Sequence, residues 1–254
     1  MNQKQKAQAF AALHKPGEPI ILFNAWDAGS AKAVADSGAK AIATGSWSVA
    51  AANGFTDAEG LPLDLALANA ARVVKAVELP VTLDFEGGYA VDVAQVAANF
   101  GAALATGVIG CNFEDQVVGG DGLHEVRVQA GRIEALRRAA ERADVPAFIN
   151  ARTDIFLKAK PDAHDRAAVD DAIERARTYA DAGASGFFVP GLMDERLIAQ
   201  VCEASPLPVN AMMFSGMPSN KRLAELGIGR ISYGPGPYRQ AMAALTEVAR
   251  AALA

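Results

Sequence analysis

The stretch VTLDFEGGYA, residues 81–90, begins as a buried strand and then sets two carboxylates, Asp84 and Glu86, two positions apart. Residues two apart on a strand face the same way. Two acids aimed into a core are costly unless something meets their charge. The pattern recurs downstream: VIGCNFED, residues 108–115, carries Asn112 and Glu114, and AFINARTD, residues 147–154, carries Asn150 and Arg152. With these faces inward, Asp84, Glu86 and Glu114 converge near one arginine. Mutual repulsion then raises their proton affinities unless a cation sits among them. An all-oxygen donor set with room for water suits Mg²⁺, with Mn²⁺ as its substitute. A private salt bridge at the rim explains any one of these acids, whereas three on adjacent strands favour a shared metal. TGSWS, residues 44–48, adds small residues at a strand end, where backbone N–H groups are free to meet an oxyanion.

Positioning such a set requires a scaffold that brings several strand ends together. Short apolar runs alternate with Ala-rich stretches of helical period along the chain. The runs are 20–26, 41–47, 81–86, 108–115, 147–154, 186–191, 209–214 and 230–234. Runs one, three, five and seven are entered through Pro (GEPII, ELPVT, DVPAF, PLPVN). Runs two, four, six and eight follow a helix-ending Gly (DSGAKAIA, ATGVIGCN, DAGASGFF, ELGIGRIS). This order describes a unit of two strands and two helices taken four times, from which an eight-stranded α/β barrel, (β/α)₈, closes. No linker marks a second domain, so residues 1–254 read as one barrel, with 1–18 as a helical or irregular lead-in. In a barrel the chemistry sits at the C-terminal ends of the strands. The polar residues fall there: Asn24 and Asp27, TGSWS, Asp84 and Glu86, Asn112 and Glu114, Asn150 and Arg152, and Asn210.

Composition narrows the partners. Hydrophobic residues make up 51% of 254, charged residues 21%, and the net charge is −5 with basic residues dispersed. That excludes the footprint of a nucleic-acid binder or a basic membrane surface. No signal-peptide core or membrane-length apolar run is present, so a soluble cytoplasmic protein is expected. Cys111 and Cys202 share no metal-like spacing and read as structural thiols.

Taken jointly, LFNAWDAGSA, GSWSVAAANGFTD, DFEGGYA, NFED and NARTD resemble the isocitrate lyase/phosphoenolpyruvate mutase superfamily, from about Leu22 to Tyr233. DFEGGYA is similar to the family's metal-binding Asp-x-Asp-x-Gly-Tyr-Gly, with Glu86 for the second Asp and Ala90 for the last Gly. The resemblance implies a Mg²⁺-dependent barrel acting on 2-oxo acids or their 2-hydroxy precursors through an enolate. It implies Asp84 as direct metal ligand, with Glu86 and Glu114 acting through water or supporting the shell. Gly45, Ser46 and the backbone around Trp47 would hold the substrate carboxylate and oxyanion, and Arg152 would pair with a carboxylate. Asp57 matches a loop acid that approaches the site. Tyr89, Asn112, Asn210 and His124, the last in the loop after strand four, complete the expected substrate contacts. A C-terminal helix exchanged between subunits would make a homodimer or homotetramer.

Departures shape the reaction expected. The lyases carry a Lys-Lys-Cys-Gly-His loop after strand four, but here it reads QVVGGDGLHEVRV, which argues against isocitrate or methylisocitrate cleavage. Strand six ends in FFVPG where a mutase has His, which disfavours P–C chemistry. The expectation is a lyase breaking a C–C bond of a small oxaloacetate- or malate-like carboxylate. The alternatives are phosphonopyruvate hydrolase or mutase chemistry, and a non-catalytic carboxylate-binding barrel.

Overall fold

The eight apolar runs become eight parallel strands: β1 Ile20–Leu22, β2 Ile42–Ala43, β3 Val81–Asp84, β4 Gly110–Glu114, β5 Phe148–Arg152, β6 Gly186–Phe188, β7 Val209–Met212 and β8 Arg230–Ser232. The computed structural model describes the backbone of residues 1–254 and every side chain except that of Pro161. Helices fill the intervals: α1 Gln3–Ala12, α2 Ala28–Asp36, α3 Ser46–Ala52, α4 Leu63–Ala76, α5 Val93–Ala105 and α6 Val126–Arg142. They continue with α7 Ile155–Lys158, α8 Arg166–Asp181, α9 Glu195–Ala204, α10 Asn220–Glu225 and α11 Gly236–Leu253.

The ladder runs β1-β8-β7-β6-β5-β4-β3-β2. Its remaining gap is bridged where Ala25 meets Thr44, the Ala25 N–H donating to the Ala43 carbonyl at 2.8 Å. The result is a (β/α)₈ barrel. The punctuation has a physical cause. Gly38, Gly107, Gly183 and Gly227 end the helices before the even strands, with φ between 93° and 97°, a region where a side chain is strained. Each ladder stops short of its apolar run, so the polar tails at 23–27, 44–45 and 85–86 are βα loops, and Ser46 and Trp47 open α3.

A barrel interior is usually filled with branched apolar residues. Here the lower interior is polar, with Asn112, Asn150, Asn210, Arg230 and Ser232 all buried. They satisfy one another in part. Asn112 Oδ1 accepts from Asn150 Nδ2 and Arg230 Nη2, both at 2.9 Å, while Asn210 and Ser232 pair at 3.2 Å. The lead-in forms α1 and closes the N-terminal mouth. The His14 ring just beyond it stacks on Phe148 at 3.9 Å, and Phe10 meets Phe148 edge-on at 5.5 Å. Burial, and then the charge of Arg230, push the His14 imidazole down to about 3. The apolar core lies between sheet and helices, with Phe85, Phe100 and Phe113 clustered under the β3 loop. Cys111 and Cys202 are free thiols. Among the described residues, no helix is long and apolar enough to cross a membrane.

Candidate active site

Asp84 ends β3 and is gripped from the neighbouring strand. Its backbone N–H donates to Thr44 Oγ1 at 3.0 Å, fixing the register with the β2 loop. Gly45 caps α3, and this turns Ser46 inward, so that both its N–H and its hydroxyl donate to Asp84 Oδ2 at 2.9 Å. Asn112 Nδ2 reaches the other carboxylate oxygen at 3.4 Å. Asp57, from the loop after α3, accepts a long contact from the Ser46 hydroxyl at 3.4 Å. Desolvation, and then the Asp84 charge, raise the Asp57 carboxyl above the usual range.

Alternation along β3 does not carry Glu86 to its place. The strand ends at Asp84, and Glu86 lies at φ 50° in a tight turn with Gly88 and Tyr89. Its carboxylate is buried all the same, accepting from the Glu59 N–H at 2.7 Å and the Tyr89 hydroxyl at 3.0 Å. Glu59 returns the contact by accepting the Tyr89 N–H at 2.7 Å. Burial first, then Asp84 and Asp57, raise Glu86 to about 7. Ala58, Glu59, Glu86 and Tyr89 all hold left-handed φ between 50° and 60°, so the two facing loops are strained where they lock together.

Glu114 and Arg152 sit opposite each other in the β4–β5 register and pair at 2.9 Å. Arg152 also forks onto Asp154, with contacts of 2.5 and 2.9 Å. Burial drives Glu114 well above its ordinary range, against the pull of Arg152. Burial alone would lower Arg152, but Glu114 and Asp154 outweigh it and hold the guanidinium charged. Beneath them Asp115 is clamped by Arg175 at 3.0 Å, the Tyr179 hydroxyl at 2.9 Å and the Asp154 N–H at 3.0 Å. That network fixes the exits of β4 and β5.

The structure gathers Ser46, Asp57, Asp84, Glu86, Tyr89, Asn112, Glu114 and Arg152 at one mouth. Trp47 stands beside them on the first turn of α3, where its N–H has no intrahelical partner. Asn210 is not brought there; it lies fully buried in the barrel, paired with Ser232. His124 is half-buried at the base of its loop, anchored by backbone bonds to Asp115 and Arg175. The Ser46 donors expected to hold substrate are turned onto Asp84 instead. Sequence reasoning missed Glu59, Arg132 and Arg230. Arg132, from α6, donates to the Gly87 and Ala90 carbonyls and pins the turn that carries Glu86. Its signal was a charged residue within the apolar stripe of RVQAGRIEALRR.

These oxygens suit a hard divalent ion of restricted ligand number. Among the described residues, no three His, Cys, Asp or Glu side chains stand close enough to coordinate one ion unaided. Yet Asp57, Asp84, Glu114 and Asp154 surround one guanidinium with Glu86 beside Glu114, and Asp57, Glu86 and Glu114 carry raised proton affinities. A cavity of about 10 Å³ between Thr44, Ser46, Asp84, Glu86 and Tyr89 has room for about one water. One direct carboxylate with water-filled positions is how proteins commonly hold Mg²⁺.

Comparison with known proteins gives the family. A crystal structure of a candidate phosphonomutase from Burkholderia cenocepacia J2315 superposes with a TM-score of 0.96 at 49% identity, covering 99% of this chain and 100% of that one. The Mycobacterium tuberculosis (strain ATCC 25618 / H37Rv) protein Rv1998c is 33% identical over 96% of this chain and 88% of its own. The 2-methylisocitrate lyase of Escherichia coli (strain K12) is 26% identical over 83% of this chain and 71% of its own. The phosphoenolpyruvate phosphomutase family model matches residues 10–253, so the chain belongs to the isocitrate lyase/phosphoenolpyruvate mutase superfamily.

Proposed function

We propose that this chain is a Mg²⁺-dependent lyase that breaks a C–C bond of a small 2-oxo or 2-hydroxy carboxylate, oxaloacetate- or malate-like. The observation that carries the reading is Asp84, held by three donors inside a ring of acids whose proton affinities are raised. Asp84 would hold the ion directly, and Glu86 and Glu114 through water. When bound, the ion supplies Lewis acidity toward the C2 oxygen. Arg152 offers five N–H donors, of which Glu114 and Asp154 take three, leaving two for the substrate carboxylate. The Trp47 N–H, without an intrahelical partner at the start of α3, would meet negative charge developing on the C2 oxygen. Ser46 and Asn112 keep Asp84 aimed, and the Glu59–Glu86–Tyr89 lock keeps the neighbouring loops from relaxing away.

The test is turnover of a panel of 2-oxo and 2-hydroxy diacids with and without Mg²⁺, beside Asp84→Asn. Cleavage that chelation and Asp84→Asn both abolish is the expected outcome; no turnover, or turnover indifferent to chelation, sinks the reading. A second reading, P–C chemistry, is favoured by the description of the 49% identical relative. Phosphate release from phosphonopyruvate would establish it.

The same proposal includes a homodimer or homotetramer. Residues 243–253 of α11 are exposed, with Leu245, Val248 and Leu253 60%, 69% and 89% accessible. An amphipathic helix so bare needs a partner surface. A monomer by light scattering removes this part.

A further inference from the structure

We infer that Arg230, buried in the floor of the barrel, is a positioning residue that acts through Asn112 on Asp84 and loosens the hold of that carboxylate on a divalent ion. This rests on the functional reading above, in which Asp84 is the direct ligand. Arg230 opens β8, in register with Asn210 of β7, and is 1% exposed. Its side chain crosses the barrel interior to β4, where Nη2 donates to Asn112 Oδ1 at 2.9 Å. Asn112 in turn faces the end of β3, its Nδ2 reaching Asp84 Oδ1 at 3.4 Å. One amide group therefore joins a buried cation to the candidate metal ligand.

Hydrogen bonding fixes which way that amide points. Asn150 Nδ2 also donates to Asn112 Oδ1 at 2.9 Å, so both acceptor sites of the oxygen are filled. The reversed amide would set N–H groups against Arg230 and Asn150, and a carbonyl against the Asp84 carboxylate. Ser46 places both of its donors on Asp84 Oδ2, which leaves Oδ1 as the less engaged oxygen. That is the oxygen on the Arg230 side.

Arg230 is poorly provided for as a structural ion. Its hydrogen bonds go to neutral groups, Asn112 and, at 3.4 Å, Ser232, while Nη1 meets no protein acceptor. Phe10 of α1 closes the space beneath, 6.0 Å from the guanidinium, and the neutral His14 ring adds no counter-charge. Burial draws the guanidinium down to about 9, so it stays charged at neutral pH, and the charge that most opposes this fall is Asp84. A branched apolar residue would fill the position at lower cost to the fold. What Arg230 supplies is a fixed positive charge behind Asp84, acting through buried side chains where screening is weak. It answers part of the Asp84 charge from below. An ion bound above is then held less tightly and stays more electrophilic.

The experiment is Mn²⁺ binding to the full chain at neutral pH, followed by electron paramagnetic resonance, with Asp84→Asn as the control that identifies the site. Arg230→Met and Arg230→Gln remove the charge with side chains of unlike polarity. Asn150→Ala removes the other donor to Asn112 Oδ1 and no charge. Cooperative thermal unfolding in chelator is checked first for each variant. Both Arg230 variants should bind Mn²⁺ at least about tenfold tighter than wild type, as expected when a like charge is taken from the interior near a cation. Asn150→Ala should bind no tighter than wild type, since a change of amide geometry alone gives no such gain. Unchanged or weaker binding by the Arg230 variants, tightening shared by Asn150→Ala, or loss of folding in both Arg230 variants overturns the inference and leaves the metal site standing. Wild-type protein that shows no Mn²⁺ binding sensitive to Asp84→Asn removes the metal site itself, and the inference with it.

Discussion

Replacing Glu86 by Gln should stabilise the metal-free protein at alkaline pH, an unusual outcome for a substitution inside a candidate active site. The Glu86 carboxyl is 4% exposed and raised from its ordinary 4.5 to about 7. Its folded value lies above its unfolded value, so between those limits the folded chain holds a proton that the unfolded chain has lost. Stability therefore falls as pH rises through that window. At about 1.4 kcal/mol per pH unit of the gap, the ionised carboxylate costs the fold about 3 kcal/mol at pH 8. Gln carries no charge to desolvate. Its amide oxygen can still accept from the Glu59 N–H, and its NH₂ can donate to the Tyr89 oxygen after the hydroxyl rotates. Thermal unfolding in chelator at pH 8 should show a gain of roughly 6–12 °C for a chain of this size. At pH 5 the wild-type carboxyl is protonated when folded, and the gain should shrink to less than about 1 kcal/mol. Millimolar Mg²⁺ should raise the wild type at pH 8 more than the variant. A variant destabilised at pH 8, or equally stabilised at both pH values, would refute the reasoning.

Three further outcomes follow from packing and charge. Gly88→Ala should cost about 2–4 kcal/mol in denaturant unfolding, because φ is 86° and the new methyl would stand 2.9 Å from the Phe113 ring. Arg175→Met should cost about 3–5 kcal/mol at neutral pH by leaving the fully buried Asp115 without its cation. His14, lowered to about 3, contributes stability that is full above its unfolded value near 6.5 and is lost as pH falls toward 3. His14→Gln should flatten that acid limb by up to about 1.4 kcal/mol per pH unit relative to wild type, read as unfolding free energy against pH.

Much of this architecture is legible in the sequence because it is written in local chemistry. The helix-ending glycines at 38, 107, 183 and 227 need a backbone region that other residues avoid, so their spacing marks the even strands directly. The acids at strand ends are equally visible, since a carboxylate after an apolar run has few bland explanations. What stays hidden depends on contacts distant in sequence. Alternation puts Glu86 on the Asp84 face, but the turn at Gly87–Gly88 takes over and Glu59, 27 residues earlier, captures the carboxylate. Arg132 and Arg230 look like surface charges until the barrel closes around them. Asn210 carries a polar signature at the right strand, yet its amide is spent on Ser232. Ser46 is found by its motif, while its grip on Asp84 is a tertiary fact.

The most direct measurement is a crystal grown with Mn²⁺ and oxalate, an enolate mimic, with data collected at the manganese edge. The expected result is an anomalous peak at bonding distance, roughly 2.1–2.3 Å, from an Asp84 carboxylate oxygen. Oxalate should bridge the ion and the Trp47 N–H, with Arg152 on its carboxylate. A peak away from Asp84, or oxalate seated with no metal beside Asp84, would contradict the metal site on which the proposed reaction depends.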